Sequence, residues 1–325
     1  MLMVYTSLFA LSFFWSSVSL PPSYEPSVYL GGDVMLSRGV GAQFKKHGFD
    51  SLTGSYHPFK SATKKDITLL NLESPFSLPD KDRDEATFIF GANPRSIKVL
   101  DWLRGESTMI VSLANNHSMN RGFAGLRQTL KTLESASIRQ IGLGKGERQK
   151  FISLERSGEK YCFGAYSYDG RSYWDKASQI MWYMNKLSQS RADLESMKQE
   201  NCDYKIFVMH WGREYKVAPT RSQRKLAHNL IDAGATLIVG SHSHIFGEIE
   251  QYKSKYIFYS LGNFLFDQHW GAKGCQPGMD CISDPKTNKQ VVPTHIGSAI
   301  RLDFPFDSYK KWHWYIGKEG FEKIQ

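Results

Sequence analysis

The sequence predicts an α/β protein with at least one largely mixed sheet, on three observations. Short apolar runs alternate with helix-like stretches along most of the chain. Several of these runs are continuous rather than alternating, as befits strands covered on both faces. No linker-like stretch interrupts the region between Ser27 and about Phe306. The expected organisation is one domain over 27–306, a separate segment over 1–20 before it, and a C-terminal strand and tail over 307–325.

Strands are expected, in order, at Val28–Leu30, Ile67–Leu70, Met109–Ser112, Gln140–Gly142, Tyr161–Ser167, Ile206–Met209, Leu237–Val239, Tyr256–Tyr259 and Ala299–Phe304. A helix should open at Asn93-Pro94 and reach about Leu103. Asn93 is a good cap, and Pro94 sits in the first turn, where its missing N–H leaves no helical bond unmade. Gly122–Ala136 carries apolar residues at helical spacing, Asp175–Gln199 reads as mostly helical, and Gln223–Ala233 reads as a helix stopped by Gly234. His269–Pro293, rich in Gly, Pro and polar residues, reads as a long loop. The basic, aromatic tail from Lys310 offers a last strand at Trp312–Ile316 with a short frayed end, or a patch for a membrane surface.

Composition narrows the partners. With 41 Lys+Arg against 32 Asp+Glu, the formal net charge of +9 favours an acidic partner such as an anionic polymer, a phosphate or an anionic surface. The basic residues are scattered and not interleaved with aromatics, so no nucleic-acid partner is expected.

The first twenty residues, MLMVYTSLFALSFFWSSVSL, hold no charged side chain. They read as a secretory signal peptide, with an uncleaved membrane anchor or a buried N-terminal helix as the alternatives. Either of the first two readings makes the protein exported: extracellular, periplasmic or on the outer face of the membrane. Cys275 and Cys281 lie in the stretch GCQPGMDC, which looks like a small disulfide-closed loop, whereas Cys162 and Cys202 flank apolar runs and read as buried thiols.

The informative residues stand at strand ends. Asp33, Glu73, Asn116 with His117, His210, and His242 with His244 each follow an expected strand. Open α/β sheets bind ligands outside the carboxyl ends of their strands. One such residue is usually structural, but five strand ends that all deliver ligand-type side chains point to a metal centre. Asp33 and Glu73 offer anionic oxygen, Asn116 a neutral carbonyl, and the three histidines imidazole nitrogen. That mixture suits one or two divalent transition metal ions (Mn, Fe or Zn) rather than calcium. In an extended segment His242 and His244 would face the same side, and Gly240 would let the backbone come close. Arg38 is a candidate for binding an anionic substrate group, and Glu214 for orienting the site or acting as a base. Met35 reads as core.

These residues lie in five runs: Gly32-Asp33-Val34-Met35-Leu36, Asn71-Leu72-Glu73-Ser74-Pro75, Leu113-Ala114-Asn115-Asn116-His117, His210-Trp211-Gly212-Arg213-Glu214 and Ser260-Leu261-Gly262-Asn263-Phe264. In order and spacing they resemble the CapA-type poly-γ-glutamate capsule synthesis proteins, a family similar to the calcineurin-like metallophosphoesterases. The resemblance implies a four-layer αββα sandwich of two mixed sheets with a dinuclear metal site. It implies that Asp33 binds one metal, Glu73 stands at the bridging position, Asn116 and His210 bind the other metal, and His242 and His244 divide between the two. His117 would be the general acid or phosphate contact. Two departures from the phosphoesterase pattern bear on this: Asp33-Val34-Met35 lacks the usual second histidine, and Glu73 replaces an aspartate. His242-Ser243-His244 also stands where the family more often has His-Pro-His.

Three functions follow as expectations. The first is a metal-dependent enzyme acting on a γ-glutamyl or peptide-like anionic polymer outside the cytoplasm. The second is a phosphoesterase or nucleotidase, which the missing histidine disfavours. The third is a non-catalytic polymer-binding subunit of an envelope or membrane synthesis complex. Every candidate ligand is of a competent type, which favours an enzyme.

Overall fold

The computed structural model describes residues 25–54, 56–79, 88–268, 278–283, 289–303, 305–317 and 320–323. The first half of the chain forms β1 (Ser27–Val34), α1 (Arg38–His47), α2 (Asp50–Thr53), β2 (Ile67–Leu72), α3 (Ile97–Arg104), β3 (Thr108–Ser112), α4 (Gly122–Ser135) and β4 (Arg139–Ile141). Next come β5 (Leu143–Lys145), β6 (Ile152–Arg156), β7 (Glu159–Ser167), β8 (Ser172–Asp175), β9 (Ile180–Met184), α5 (Ser190–Gln199) and β10 (Tyr204–His210). The rest is α6 (Arg221–Asp232), β11 (Leu237–Ser241), β12 (Ile249–Tyr252), β13 (Lys255–Phe258), β14 (Asn263–Leu265), β15 (Ile282–Ser283), β16 (Gln290–Val291), β17 (Ile296–Asp303), β18 (Ser308–Gly317) and β19 (Gly320–Lys323).

Two mixed sheets make the body. The first runs β19-β18-β17-β1-β2-β3-β4, with β14 also paired to β1. The second runs β12-β13-β11-β10-β7-β6. Each has a parallel centre with antiparallel neighbours: β1 to β4 in one, and β7, β10, β11 and β13 in the other. The sheets face each other, with α3 and α4 packed on the first and α5 and α6 on the second. This is the expected four-layer α/β sandwich.

The continuous apolar strands of the second sheet are explained by its two covers. Phe163, Ala165, Ile206, Val208, Leu237 and Val239 join the core shared with the first sheet. Their alternates Cys162, Tyr166, Phe207, Met209 and Ile238 pack with Leu194, Met197, Ala227 and Leu230 of α5 and α6. With the side-chain period at 2, both parities are buried. The same parity sends His210, at the end of β10, to the face that looks at the first sheet.

The expected helices at 94–103, 122–136 and 223–233 form as a short 3₁₀ turn plus α3, α4 and α6. Asn93 caps the first through its side chain, and Thr220 and Gln223 make a reciprocal box at the start of α6.

Four expectations need correction. Asp175–Gln199 is not mostly helical: β8 and β9 form a hairpin whose second strand pairs with β5, and the α-helix begins only at Ser190. The run Ile180–Met184 survives as a strand because β5 and β8 satisfy its backbone from both sides. Within the expected loop 269–293, β15 and β16 pair with each other. Beyond the predicted last strand, Gly320–Lys323 forms a further strand, β19, paired with β18 at the sheet edge. Finally, Cys162 and Cys202 are buried but are not thiols: they form a disulfide with Cα atoms 5.9 Å apart. Cys281 is also disulfide-bonded. Cys275 and the segment 1–20 lie outside the described residues.

Candidate metal centre

All six candidate ligands come to one place, at the carboxyl ends of the parallel strands where the two sheets meet. Asp33 reaches it through a bulge. Tyr29 packs outward on Phe59 and Trp312, so simple alternation would turn Asp33 the same way. Instead β1 slips against β2 between Leu30 and Asp33, and the extra residue turns Asp33 towards the second sheet. The slip needs glycine: a Cβ on Gly32 would lie 1.8 Å from the Gly262 carbonyl oxygen. The Asp33 amide donates to that same oxygen at 2.9 Å. Asn71 near the end of β2 and Glu73 just after it are two apart, and the Asn71 amide donates to Asp33 Oδ1 at 2.8 Å.

His242 and His244 arrive by a different route from the one expected. They do not continue an extended strand. Both have positive φ, 93° and 60°, a conformation that non-glycine residues adopt rarely and that clusters at functional sites. The turn brings the His242 amide to Asp33 Oδ2 at 3.2 Å and His244 Nδ1 to 3.5 Å from the same oxygen. Gly240 does allow a close approach, but to the Tyr259 carbonyl, where a Cβ would sit 2.0 Å away. The glycine thus seats β11 below the site rather than at it.

Glu73 occupies the centre. Its Oε1 lies 3.8 Å from His117 Nε2, 4.0 Å from His210 Nε2 and 4.0 Å from His244 Nε2. Glu73 is fully buried, yet among the described residues no N–H group reaches either oxygen, and the carboxyl beside it is that of Asp33. His242 Nδ1 is likewise buried without a hydrogen-bond partner. Asp33, Glu73 and His244 place ligand atoms within 4.8 Å of one another, and so do Glu214, His242 and His244. His210 Nε2 and Asn116 Oδ1 stand 2.8 Å apart, close to the roughly 3 Å between neighbouring ligand atoms on one ion. A buried carboxylate without a donor is costly unless a cation compensates it. The residues present therefore fit a divalent metal: they supply the anions, the neutral nitrogens and three orphaned ligand atoms.

Their partners orient them. His244 Nδ1 contacts Asn263 Oδ1 at 3.0 Å, and His210 Nδ1 contacts Ser241 Oγ at 3.0 Å, which leaves each Nε2 facing Glu73. His117 Nδ1 contacts Asn120 Oδ1 at 3.0 Å, so its Nε2 lone pair also turns inward and takes the Asn116 amide at 3.2 Å. Arg38 stands at the rim. Its Nε is 3.4 Å from Asp267 Oδ1, and its guanidinium lies over Phe90 and Phe266. Met35 is core, packed with those two rings. Glu214 is exposed but within ligand distance of His242 and His244.

A model of the family described as "Bacterial capsule synthesis protein PGA_cap" matches residues 27–268. The chain belongs to that family. Among relatives of this capsule synthesis member, "PGA biosynthesis protein CapA" of Bacillus subtilis is 30% identical over 82% of this chain and 71% of its own length. "Capsule biosynthesis protein CapA" of Bacillus anthracis is 27% identical over 74% of this chain, and the match spans 59% of that protein's length. A "Probable polyglutamine synthesis accessory protein" of Mycobacterium tuberculosis is 26% identical over 88% of both chains. A solved 5'-nucleotidase precursor from Thermus thermophilus is 13% identical over 92% of this chain and 56% of its own, with a TM-score of 0.44.

Several residues of the site in this family member were not legible in the sequence. Asn115 is the hub of its loop: its amide donates to Asn71 Oδ1 and the Leu72 carbonyl, and its Oδ1 accepts from the His117 amide. It thereby presents Asn116 and His117. Asn71, Asn115 and Asn263 sit inside the matching runs, so the signal was present but unassigned. Tyr168 and Asp267 carry no such mark. Tyr168 lies with its ring centre 4.8 Å from that of His242.

Burial sets the charge state of the metal-free site. It raises Asp33 to about 6 and, with the Asp33 charge added, holds Glu73 well above the usual carboxylate range. Burial also lowers His242 to about 4 and His244 to about 3, and depresses His210 and His117. The histidines are neutral ligands already at pH 7, so the protons that metal uptake displaces come from carboxyls. Metal titration calorimetry in buffers of different ionisation enthalpy should show about one more proton released at pH 5 than at pH 8, with the change centred near 6. Equal proton release at the two pH values would mean that the buried carboxyls are already ionised at pH 5.

Proposed function

We propose that this capsule synthesis family member is an exported, metal-dependent enzyme acting on amide links of a γ-glutamyl or other peptide-like anionic polymer. The observation that carries the reading is Glu73, a buried carboxylate without a donor, ringed by Asp33, His210, His242 and His244. Three further points support it. The relatives are named for capsule and polyglutamate synthesis, the chain is basic, and a buried disulfide suits an oxidising compartment.

A divalent Mn, Fe or Zn ion held there would polarise a carbonyl and lower the pKa of bound water to about 7. This chain's own residues do the rest. His117, neutral and fixed by Asn120, offers a lone pair on Nε2 to take up a proton and return it to a departing amine. Arg38, held by Asp267 and two rings, presents a guanidinium for a substrate carboxylate. Met35, Phe90 and Phe266 form a buried apolar cluster against which Arg38 and His244 pack.

The test is the metal content of the purified protein by elemental mass spectrometry, beside a His242→Ala/His244→Ala variant. About one or two equivalents of a transition metal, lost in the variant, are expected, with cleavage of γ-glutamyl oligomers by the loaded protein. A folded protein that takes up no Mn, Fe or Zn would sink the catalytic reading and leave a polymer-binding subunit. Cleavage of phosphodiesters alone would move the substrate to phosphate esters.

A further inference from the structure

A cleft of about 710 Å³ opens beside the metal centre, among whose walls are Tyr168, Leu187, Trp211, Arg213, Arg221 and Leu226. Two residues tie it to the site. Tyr168 is half exposed, and its ring packs on His242 at 4.8 Å between centres and lies nearly parallel to His210 at 6.2 Å. It is therefore a wall shared by cleft and site. Trp211 follows His210 directly, and its indole donates to the Tyr259 carbonyl at 3.1 Å, which fixes the floor. The same short loop carries His210, Arg213 and Glu214, so a ligand at the metals and a ligand in the cleft are read by one segment.

The cleft is cationic. Arg213 and Arg221 are both exposed on it, and among the described residues neither forms an ion pair or hydrogen bond. By contrast Arg127, Arg148, Arg171 and Arg224 are all matched with carboxylates. Two unmatched guanidiniums beside aromatic faces are suited to carboxylate groups on a chain with an apolar backbone. Glu214 lies on the metal side, within ligand distance of His242 and His244, where a cation would take up its charge.

We infer that this cleft is a second subsite for the polymer: it takes the carboxylate of a neighbouring repeat while the reacting repeat lies at the metal centre. This rests on the function proposed above, and makes it specific to a chain with one carboxylate per repeat. A single glutamate would reach only the metals, whereas an oligomer would engage both places and bind more tightly by linkage.

The experiment measures binding of a short γ-glutamyl oligomer to the metal-loaded full chain, by calorimetry, for wild type and Arg213→Gln/Arg221→Gln. Metal content and thermal midpoint are recorded for both. The variant is expected to keep its metal and its fold, and to bind the oligomer about tenfold or more weakly. That gap should shrink as salt rises. Arg213→Lys/Arg221→Lys should recover much of the affinity. The same oligomer with its free α-carboxyls amidated should not distinguish wild type from the Gln variant. Equal affinity of wild type and Gln variant for the carboxylate oligomer would overturn the cleft while leaving the metal reading intact. No oligomer binding by a metal-loaded wild type would instead overturn the polymer substrate itself, and the cleft with it.

Discussion

Glu73→Gln is expected to make the metal-free protein more stable and the metal-loaded protein less so. In the metal-free state Glu73 is buried without a donor, next to Asp33. A neutral side chain of the same shape removes an uncompensated charge, a relief on the order of 1–4 kcal/mol for buried ionic groups. The sign depends on pH in a definite way. A carboxyl whose folded pKa is raised contributes stability that is full below its unfolded value and is lost as pH rises through the folded value. The gain from Glu73→Gln is therefore near zero at pH 4 and grows through neutrality. The depressed histidines act oppositely: their contribution is present above the ordinary value of 6.5 and is lost as pH falls, through about 4 for His242. They are common to both proteins and cancel in the comparison. With metal at a hundred times its dissociation constant, the wild type gains about 2.7 kcal/mol by mass action, and the variant should gain little. Denaturant unfolding with and without added Mn or Zn reads all four states. A variant that is less stable than wild type after chelation at pH 8 would show that Glu73 is compensated by something other than a cation.

Removing the buried disulfide should be nearly as large. Cys162–Cys202 has a sequence separation of 40 and ties the chain after α5 to the start of β7. By loop-closure entropy a ring of that length contributes about 3–4 kcal/mol. Cys162→Ala/Cys202→Ala should lower the thermal midpoint by roughly 4–6 °C for a chain of this size. Wild type reduced under denaturing conditions and refolded should have a midpoint at least as low, since reduction also opens the bridge at Cys281. Metal content should be unchanged, because the bridge lies at the opposite ends of these strands from the site. An unchanged midpoint in the double variant would mean that the second sheet is held by its apolar core alone.

Legibility of the sequence followed the range of the interactions. The ligand set was legible because each member follows an apolar run, and a buried strand has a defined end where a polar side chain needs a purpose. The helices at 94–103 and 223–233 were legible because Asn93-Pro94 and Gly234 act on their own neighbours. The hairpin of β8 and β9 was not: Ile180–Met184 is a strand because β5 is beside it, and β5 is 35 residues upstream or more. The disulfide was hidden for the same reason. Nothing near Cys162 in the chain announces Cys202; the two meet because β7 and β10 are parallel neighbours. Asn115 was not legible because one sequence cannot separate an asparagine that offers a candidate ligand from the adjacent one that holds the loop.

The sequence by itself determined the α/β class, the family and the six side chains of the candidate metal centre, since these depend on local pattern and on residue type at strand ends. Tertiary structure alone decided how those side chains meet. The bulge at Gly31-Gly32 turns Asp33 inward, and left-handed backbone at His242 and His244 replaces the expected strand geometry. Packing of one sheet on the other leaves Glu73 with histidines around it and no donor. Tyr168 becomes a wall between metal site and cleft in the same way. The physical reason is that donor satisfaction, burial and backbone strain are properties of what surrounds a residue, and these surroundings come from distant segments, 209 residues apart in the bond from His242 to Asp33.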